Sequence, residues 1–561
     1  MVDRILTPVT LWEDFYIQDY AVSKIRETIF GDFTIRDYFL TRKTEDGEEV
    51  TVYFKTAFSG NLEGKDVIYY LQDAKIAVDE KRLLELAEMG YYAVCADICS
   101  SGGDAIVVDE NLTFLPKTIY PEKLAYATAE GFSENPLFIG VNARVTAYYQ
   151  WTVNAKYVLD FLKKDGFNNI AVLADGYSVN TAFHLGATED LRSIVTLYGC
   201  GWLTPLGFKY GGEVKIDFNE TELKFIAGIE AQSYAGYLNC PTLMCVATNS
   251  EKCDIDRAYD TFARIREDVY SAMVYTAGSG RFLNYKTYCD VSIFLAKHFG
   301  KNTSVLPGEV FTETKIVDGK IKVNSRFDKG AVKVSVYASE GVINPVYRCW
   351  KKIDESISLG DTTFETEYIP AQDNKIVFFY TEVTYDNGFT TCSAVATKRY
   401  SSTEVKSIPQ FKTVYSSLEK YKDGIFEGLT TRVKTILGMK TAYEPIAVKQ
   451  GACSVMGVDA SRGLFTLNVL NPSDDAMMVL SVCSKEDFKV TAELVVNALT
   501  SEEKSYYATY NLKGGNLWHE LNVELAKFKT AEGYSLKTYA NVGAIKIYAD
   551  KDFFVNNLLW V

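Results

Sequence analysis

In Ile170-Ala-Val-Leu-Ala-Asp-Gly-Tyr-Ser-Val-Asn-Thr-Ala-Phe-His-Leu-Gly-Ala187, an apolar run, a glycine turn and a helical pattern follow one another. The run over 170–174 is continuous and apolar, which is typical of a strand buried on both faces of a sheet. Gly176 provides a turn, and the small residues after it fall where a helix packs closely on a sheet. The stretch therefore predicts a strand, a tight turn and a helix, and the rest of the chain is interpreted around this unit.

Strands and helices alternate on both sides of this unit. Further strands are predicted over 66–72, 90–97, 193–198, 241–247 and 271–275, and helices over 80–89, 151–164, 256–266 and 289–299. Such alternation indicates a mostly parallel sheet with helices on both faces. We predict an α/β domain over 61–302, preceded over 1–60 by a strand extension that packs on its core.

The pattern changes after residue 302. Short alternating strands separated by turns replace the helical periodicity, for example over 320–324, 332–337 and 375–380. A segment of this size without helices is typical of an immunoglobulin-like β-sandwich, which we predict over 303–402. The strand-rich remainder, 403–561, is predicted to be a jelly-roll-like sandwich. Its segments Trp518-His-Glu520 and Asn556-Asn-Leu-Leu-Trp560 resemble those of carbohydrate-binding sandwiches.

Composition limits the classes of partner. The chain has 561 residues and a formal net charge of −14, which argues against nucleic acid or an anionic membrane as the main partner. A neutral small molecule such as a carbohydrate is not repelled by an acidic surface. Aromatic residues make up 14% of the chain, which suits both β-rich domains and surfaces that stack on sugar rings. The sequence makes no prediction of oligomeric state.

Location and cofactors are predicted from what the sequence lacks. No apolar run of about 18 residues is present, and the first residues show no secretory pattern, so a cytoplasmic protein without a membrane span is expected. Eleven cysteines at irregular spacing indicate reduced thiols rather than a disulfide framework. We find no metal-ligand spacing, phosphate-binding loop or dinucleotide fingerprint, and predict no metal and no cofactor.

Several segments together resemble one known family. They are 89–97 with Ser101-Gly-Gly-Asp104, the helix around Trp151, and Ser233-Tyr-Ala-Gly-Tyr-Leu-Asn-Cys-Pro241, and their order matches over roughly residues 60–300. In this order the chain resembles the acetyl xylan esterase and cephalosporin C deacetylase branch of the α/β-hydrolases. The resemblance implies an α/β-hydrolase fold, followed here by the two all-β sandwiches. It also implies a serine, an acid, a histidine and an oxyanion hole of backbone amides.

Two alignments of the nucleophile motif are open. One aligns Gly176-Tyr-Ser178-Val-Asn180 and keeps a serine, whereas the other places Gly176 itself at the nucleophile position. A strand that begins at Ile170 runs about five residues before the turn, which favours Gly176 at the apex. In that frame Ser178 is a small residue that opens the helix. Ser178 remains the alternative nucleophile.

The acid and the oxyanion loop also depart from the family pattern. Ser250, in Thr248-Asn249-Ser250, stands where the resemblance implies a carboxylate, and Glu251, Asp254 and Asp256 are nearby charges interpreted as loop and helix-start residues. Leu71-Gln72-Asp73-Ala74 replaces the glycine-rich oxyanion loop. A carboxylate at Asp73 would oppose a developing oxyanion.

No histidine stands at the base position. The loop that should carry it is Thr276-Ala-Gly-Ser-Gly-Arg-Phe282, which places Ser279–Gly280 there instead. The chain has three histidines, His184, His298 and His519. His184 falls in the helix after the turn, His298 ends a helix where a positive charge would complement the dipole, and His519 belongs to the terminal sandwich.

The predicted function follows from these joint replacements. Gly176, Ser250 and Gly280 occupy the three triad positions, so no intact catalytic set is predicted. We predict a catalytically degenerate carbohydrate-esterase relative that binds a carbohydrate-related ligand. Two alternatives stay open: an active acetyl esterase that uses Ser178 with a non-standard base, and a structural or assembly protein. Candidate binding residues are Gln72, Asp73, Asp175, Tyr177, Trp518 and Trp560. For Trp518 and Trp560 we favour a role in the sandwich core over sugar binding, because aromatic residues in strands are usually packing residues.

Overall fold

The structure is a computed structural model. It describes residues 4–44, 47–73, 78, 80–99, 142–200, 202, 220–250, 253–277, 285–341, 345, 348, 350–357, 360–370, 376–405, 412–416, 446–450, 453–458, 464–466, 469–470, 472–498 and 503–561. The predicted segment 101–104 and the base position Gly280 lie outside the described residues.

A nine-stranded sheet organises the described residues up to 277. In chain order its strands are β1 (Tyr20–Phe30), β2 (Phe33–Lys43), β3 (Glu49–Ser59), β4 (Val67–Leu71), β5 (Tyr92–Ala96), β6 (Ile170–Asp175), β7 (Ser193–Leu197), β8 (Thr242–Ala247) and β9 (Ser271–Thr276). The spatial order is β1-β2-β3-β5-β4-β6-β7-β8-β9. β1, β2, β3 and β5 pair antiparallel, and every pair from β5–β4 onward is parallel.

This strand order is that of an α/β-hydrolase. An antiparallel start is followed by the exchange of β4 and β5, and each later strand is added in sequence. The predicted fold class of the α/β domain is therefore confirmed. β2 and β3 form an antiparallel hairpin, with Phe33 opposite Ser59 and Lys43 opposite Glu49. The predicted strand extension over 1–60 was expected to pack on the core of the domain. In the structure its strands, β1 to β3, instead extend the main sheet at one edge.

Helices cover both faces of the sheet. In chain order they are α1 (Pro8–Trp12), α2 (Glu80–Glu88), α3 (Ala147–Lys164), α4 (Val179–Thr188), α5 (Glu220–Gly228), α6 (Ala231–Tyr234), α7 (Ile255–Phe262) and α8 (Tyr285–His298), with 3-10 turns at Ala143–Val145, Gly176–Ser178 and Ala235–Tyr237. α2 and α8 bury residues such as Leu83 and Phe294 against one face, and α3, α4 and α7 bury Trp151, Phe183 and Phe262 against the other.

Alternation along each strand explains why both faces are apolar. In β4, Val67, Tyr69 and Leu71 contact one core, and Ile68 and Tyr70 contact the other. Successive side chains of a strand point to opposite faces, so a strand covered on both sides has to be apolar throughout. This is the continuous apolar pattern from which the buried strands were predicted.

A first β-sandwich follows the α/β domain. Its strands are β10 (Phe311–Val317), β11 (Lys320–Arg326), β12 (Ala331–Glu340), β13 (Lys351–Ser356), β14 (Thr363–Tyr368), β15 (Ile376–Tyr385), β16 (Thr390–Cys392) and β17 (Ala396–Arg399). β10-β11-β14 form one sheet, and β13-β12-β15-β16 form the other, with β17 paired to β15. Ile321 and Val323 of the first sheet pack with Val336, Val377 and Phe379 of the second.

A second β-sandwich follows. Its strands are β18 (Lys412–Ser416), β19 (Ile446–Gln450), β20 (Cys453–Val458), β21 (Leu464–Thr466), β22 (Met477–Cys483), β23 (Phe488–Val496), β24 (Lys504–Leu512), β25 (His519–Glu524), β26 (Val542–Ala549) and β27 (Phe553–Trp560), with a 3-10 turn at Leu525–Lys527. One sheet runs β19-β20-β27-β22-β25 and the other β21-β26-β23-β24. Leu480 and Val555 of the first sheet pack with Leu494 and Ile547 of the second. The prediction of further all-β sheets after the α/β domain is confirmed.

Across the described parts of the chain, no helix combines the length and apolar character needed to span a membrane.

Candidate functional site

The turn after β6 lies at the carboxyl end of the parallel strands, where ligands bind in open α/β sheets. β6 ends at Asp175, a 3-10 turn covers Gly176–Ser178, and α4 begins at Val179. Gly176 has a φ of +54°, in the left-handed region that other residues rarely adopt. The neighbouring loop after β7 approaches closely, because a Cβ on Gly199 would lie 1.8 Å from the Gly176 carbonyl oxygen.

Asp73 lies directly over this turn. It follows β4, the strand beside β6, and only 6% of its surface is exposed. Its Oδ1 accepts a hydrogen bond of 2.9 Å from the Tyr177 amide. A Cβ added to Gly176 would lie 2.2 Å from Asp73 Oδ1 and 2.4 Å from its Cγ. The carboxylate therefore fills the space that any side chain at the apex would need.

The hydrogen bond from the Tyr177 amide to Asp73 bears on the position of an oxyanion hole. In an α/β-hydrolase the amide of the residue after the nucleophile donates to the oxyanion of the intermediate. With Gly176 at the apex, that amide belongs to Tyr177, and it already donates to Asp73. In that alignment, Asp73 Oδ1 takes the hydrogen bond that the Tyr177 amide would donate to a substrate oxyanion.

Ser178 and Gln72 connect the turn to the loop after β4. Ser178 is fully buried, and its Oγ donates a 2.5 Å hydrogen bond to the Gln72 carbonyl oxygen. The Gln72 side chain is buried too, and its Oε1 accepts from Cys95 Sγ at 3.3 Å. Among the other predicted site residues, Tyr177 is 7% exposed and Asp175 is half-buried. The structure therefore brings five of the predicted residues around Gly176 together.

The acid position is used for contacts within the chain. Ser250 follows β8 and is buried, and its Oγ accepts a 3.2 Å hydrogen bond from the Cys253 amide. Asp254 caps α7 by accepting from the Asp256 and Arg257 amides. Burial, together with the Asp256 carboxylate, raises the pKa of Asp254 to about 6. Glu251 lies outside the described residues.

The first sandwich is anchored to this acid-side loop. Asn249 Nδ2 donates to the Arg348 carbonyl at 2.7 Å and to the Pro345 carbonyl at 3.3 Å. The buried Arg348 guanidinium donates two hydrogen bonds, of 2.7 and 2.6 Å, to the Asp256 carboxylate. Its Cζ lies 3.6 Å from the centre of the Phe378 ring. Asp256 lies in the first turn of α7, as interpreted from the sequence, and is also the ion-pair partner of Arg348.

The same sandwich contacts the helix that follows the base-side loop. On α8, Lys286 forms an ion pair with Glu382, and Asp290 Oδ1 accepts from the Thr390 amide at 2.8 Å. Burial raises the pKa of Asp290 to about 7. The first sandwich therefore contacts the loop after β8, the start of α7, and α8.

Two of the histidines lie in the α/β domain. His184 is 1% exposed, its Nε2–H donates to the Ile229 carbonyl at 2.9 Å, and its ring stacks on Tyr234 at 3.7 Å. Burial lowers the pKa of His184 to about 3. Burial also lowers the pKa of His298 to about 4, so its imidazole is neutral at pH 7. The expectation that His298 adds a positive charge at the end of α8 is wrong.

The two tryptophans proposed for sugar stacking lie in different environments. Trp560 is 2% exposed, donates from Nε1 to the Val469 carbonyl at 2.8 Å, and packs 4.9 Å from Tyr539. Its prediction as a binding residue is wrong, because a ring enclosed in the core cannot stack on a ligand. Trp518 lies just before β25 and is 42% exposed, so its face is accessible. His519 Nε2–H donates to the Lys513 carbonyl at 2.7 Å.

Metal ligands are not grouped in the described part of the chain. No set of three or more histidine, cysteine, aspartate or glutamate side chains there could hold a metal ion.

Comparisons with known proteins give matches in structure. No protein-family model matches the chain, and no curated protein matches it. It is similar to an acetyl xylan esterase from Paenibacillus sp. R4, at 12% identity over 52% of this chain and 92% of that one, with a TM-score of 0.38. It is also similar to acetyl xylan esterase 1 from Thermoanaerobacterium sp. JW/SL YS485, at 13% identity over 50% and 89%, with a TM-score of 0.36.

A third similar structure is a Pyrococcus horikoshii acylaminoacyl peptidase, at 14% identity over 49% of this chain and 44% of that one, with a TM-score of 0.35. The likeness to all three concerns the arrangement of strands and helices. The reactions in their descriptions are those of the three proteins named.

Proposed function

We propose that this chain is a non-hydrolytic α/β-hydrolase-fold protein that binds a carbohydrate-related ligand. One observation carries the first half of this proposal: the Asp73 carboxylate accepts from the Tyr177 amide and fills the space beside Gly176. An acyl substrate would have to place a developing negative oxygen beside that carboxylate. Such a site raises the energy of the intermediate instead of lowering it.

Esterase activity through Ser178 is less consistent with these contacts. Its hydroxyl is fully buried and already donates to the Gln72 carbonyl. A serine nucleophile needs a base that takes up its proton. The Ser178 hydroxyl instead donates to a backbone carbonyl oxygen, which accepts a hydrogen bond but is not such a base. The buried His184 has its Nε2–H bound to the Ile229 carbonyl.

The ligand class follows from charge and exposed rings. A net charge of −14 does not hinder a neutral, hydroxyl-rich molecule. Trp518 presents an accessible ring of the kind that stacks on sugars. A structural role is the second candidate. It is favoured by the ion pair of Arg348 with Asp256 and by the hydrogen bonds of Asn249 to the Pro345 and Arg348 carbonyls. In that case the former site serves to join two domains.

Ester hydrolysis and covalent labelling test the proposal. We expect the full chain to hydrolyse p-nitrophenyl acetate no faster than its Ser178→Ala variant, and a fluorophosphonate probe to leave Ser178 unlabelled. Hydrolysis that disappears in Ser178→Ala, together with labelling of Ser178, would establish the esterase alternative.

Binding of the full chain to a glycan array tests the proposed ligand class. Saturable binding to a neutral glycan is the expected result. Absence of binding to every glycan on the array would contradict the ligand class and leave the structural role as the better account.

A further inference from the structure

A cleft lies between the N-terminal segment and the end of α4, away from Asp73 and Gly176. Its walls come from α1 with the residues up to Ile17, from Lys156 of α3, from residues 187–189, and from Tyr237. We call it the α1 cleft. Its volume is about 440 Å³, within the roughly 300–1,000 Å³ typical of small-molecule sites.

The N-terminal wall of the α1 cleft is held in place. Thr7 and Thr10 form a capping box at the start of α1, with Pro8 at the first helical position. The Arg144 guanidinium donates to the Leu11 carbonyl at 3.0 and 3.2 Å. Trp12 is 8% exposed and donates from Nε1 to the Tyr234 hydroxyl at 3.3 Å. These contacts form the cleft before any ligand arrives.

The floor of the α1 cleft is a charged network. Lys156 is 4% exposed, and its Nζ donates to Glu189 Oε1 at 2.7 Å and to Thr188 Oγ1 at 2.5 Å. Lys163 donates to the other Glu189 oxygen at 2.8 Å. The same Lys156 ammonium lies 4.8 Å from the centre of the Trp12 ring. A cation therefore already covers the buried aromatic face, so the cleft is a poor site for a second cation.

The rim of the α1 cleft offers aromatic faces and a carboxylate. Tyr16 is 69% exposed and Tyr237 is 46% exposed, and both line the cleft. Glu13 is also at the rim, with a side chain that is 44% exposed. Flat apolar faces beside oxygen acceptors match a molecule with carbon–hydrogen faces and hydroxyl edges.

We infer that the α1 cleft binds a neutral, hydroxyl-rich ligand of mono- or disaccharide size, with Tyr16 and Tyr237 as stacking faces and the carboxylates of Glu13 and Glu189 as hydroxyl acceptors. This inference rests on the proposed function and assigns it a site in the α/β domain. Neither the former triad region nor the terminal sandwich is needed for it.

The inference is tested by saturation-transfer difference NMR on the full chain with xylobiose, cellobiose and maltose. The sugar that binds most tightly is then titrated to obtain its Kd. We expect Tyr16→Ala and Tyr237→Ala each to weaken that binding roughly tenfold. Tyr534→Ala is the matched control, because Tyr534 lies in the terminal sandwich and is 70% exposed. Circular dichroism confirms that the three variants fold.

The outcomes separate this inference from the proposed function. Sugar binding that survives both cleft variants and is lost in Trp518→Ala would overturn the α1 cleft and leave the proposed ligand class intact. Binding of tetramethylammonium in place of the sugars would overturn the ligand chemistry of the cleft. If the wild-type chain binds none of the three sugars, the inference fails, and the glycan array then decides the proposed function.

Discussion

We expect Gly176→Ser to lower the free energy of unfolding of the α/β domain by about 2–5 kcal/mol. The left-handed conformation at φ +54° costs a residue with a Cβ about 1–2 kcal/mol. The new Cβ would also lie 2.2 Å from Asp73 Oδ1, and overpacking of a buried site costs about 1–3 kcal/mol more. Urea unfolding followed by circular dichroism measures the change.

Two further variants separate the backbone cost from the collision. Gly64 has a φ of +71°, and a Cβ there would meet nothing within 4 Å, so Gly64→Ser should show the backbone cost alone. Asp73→Gly combined with Gly176→Ser removes the collision and should recover part of the loss. Should Gly176→Ser be no less stable than Gly64→Ser, the Asp73 carboxylate moves aside freely, and it does not close the site.

Replacement of Trp560 by alanine should destabilise the terminal sandwich by about 3–5 kcal/mol, as expected for loss of a buried tryptophan. The ring is 2% exposed, packs on Tyr539, and donates to the Val469 carbonyl, so both a cavity and an unpaired acceptor result. Thermal unfolding of the purified chain measures the loss.

Trp518→Ala is the control for the Trp560 prediction. Trp518 is 42% exposed, and substitutions of exposed residues usually change stability by about 0.5 kcal/mol or less. Equal losses in the two variants would contradict the assignment of Trp560 to the core and Trp518 to the surface. Trp560→Phe should keep most of the packing and lie between them.

Much of the fold was predictable because its signals are local. The apolar run from Ile170, the turn at Gly176 and the small residues after it are neighbours in the sequence, and the structure has β6, the 3-10 turn and α4 there. The other buried strands of the parallel sheet are mostly apolar too, although β7 includes the buried Ser193 and Thr196. The sheet order then brings Asp73 beside the turn, because it comes two residues after β4, which pairs with β6.

What the sequence did not reveal depends on pairs that are far apart in the chain. Arg348 contacts Asp256 across 92 positions, and nothing near either residue indicates the other. The Asp73 carboxylate was expected near the oxyanion loop, but its hydrogen bond to the Tyr177 amide depends on side-chain direction. Trp518 and Trp560 look alike in sequence, and only their surroundings distinguish an exposed ring from a core ring.

The claim that the chain's own carboxylate occupies the oxyanion site has a direct test. Asp73→Gly removes a carboxylate of the size of acetate that accepts from the Tyr177 amide, so acetate should bind in its place. At about ten times its Kd, acetate should stabilise this variant by about 1.4 kcal/mol.

Thermal unfolding with and without acetate is therefore the decisive measurement, with sodium chloride at equal ionic strength as the salt control. Our account predicts that acetate raises the unfolding midpoint of Asp73→Gly and leaves the wild type and Asp73→Asn unchanged, because their side chains still fill the site. An equal response in all three proteins, or no response in Asp73→Gly, would contradict it.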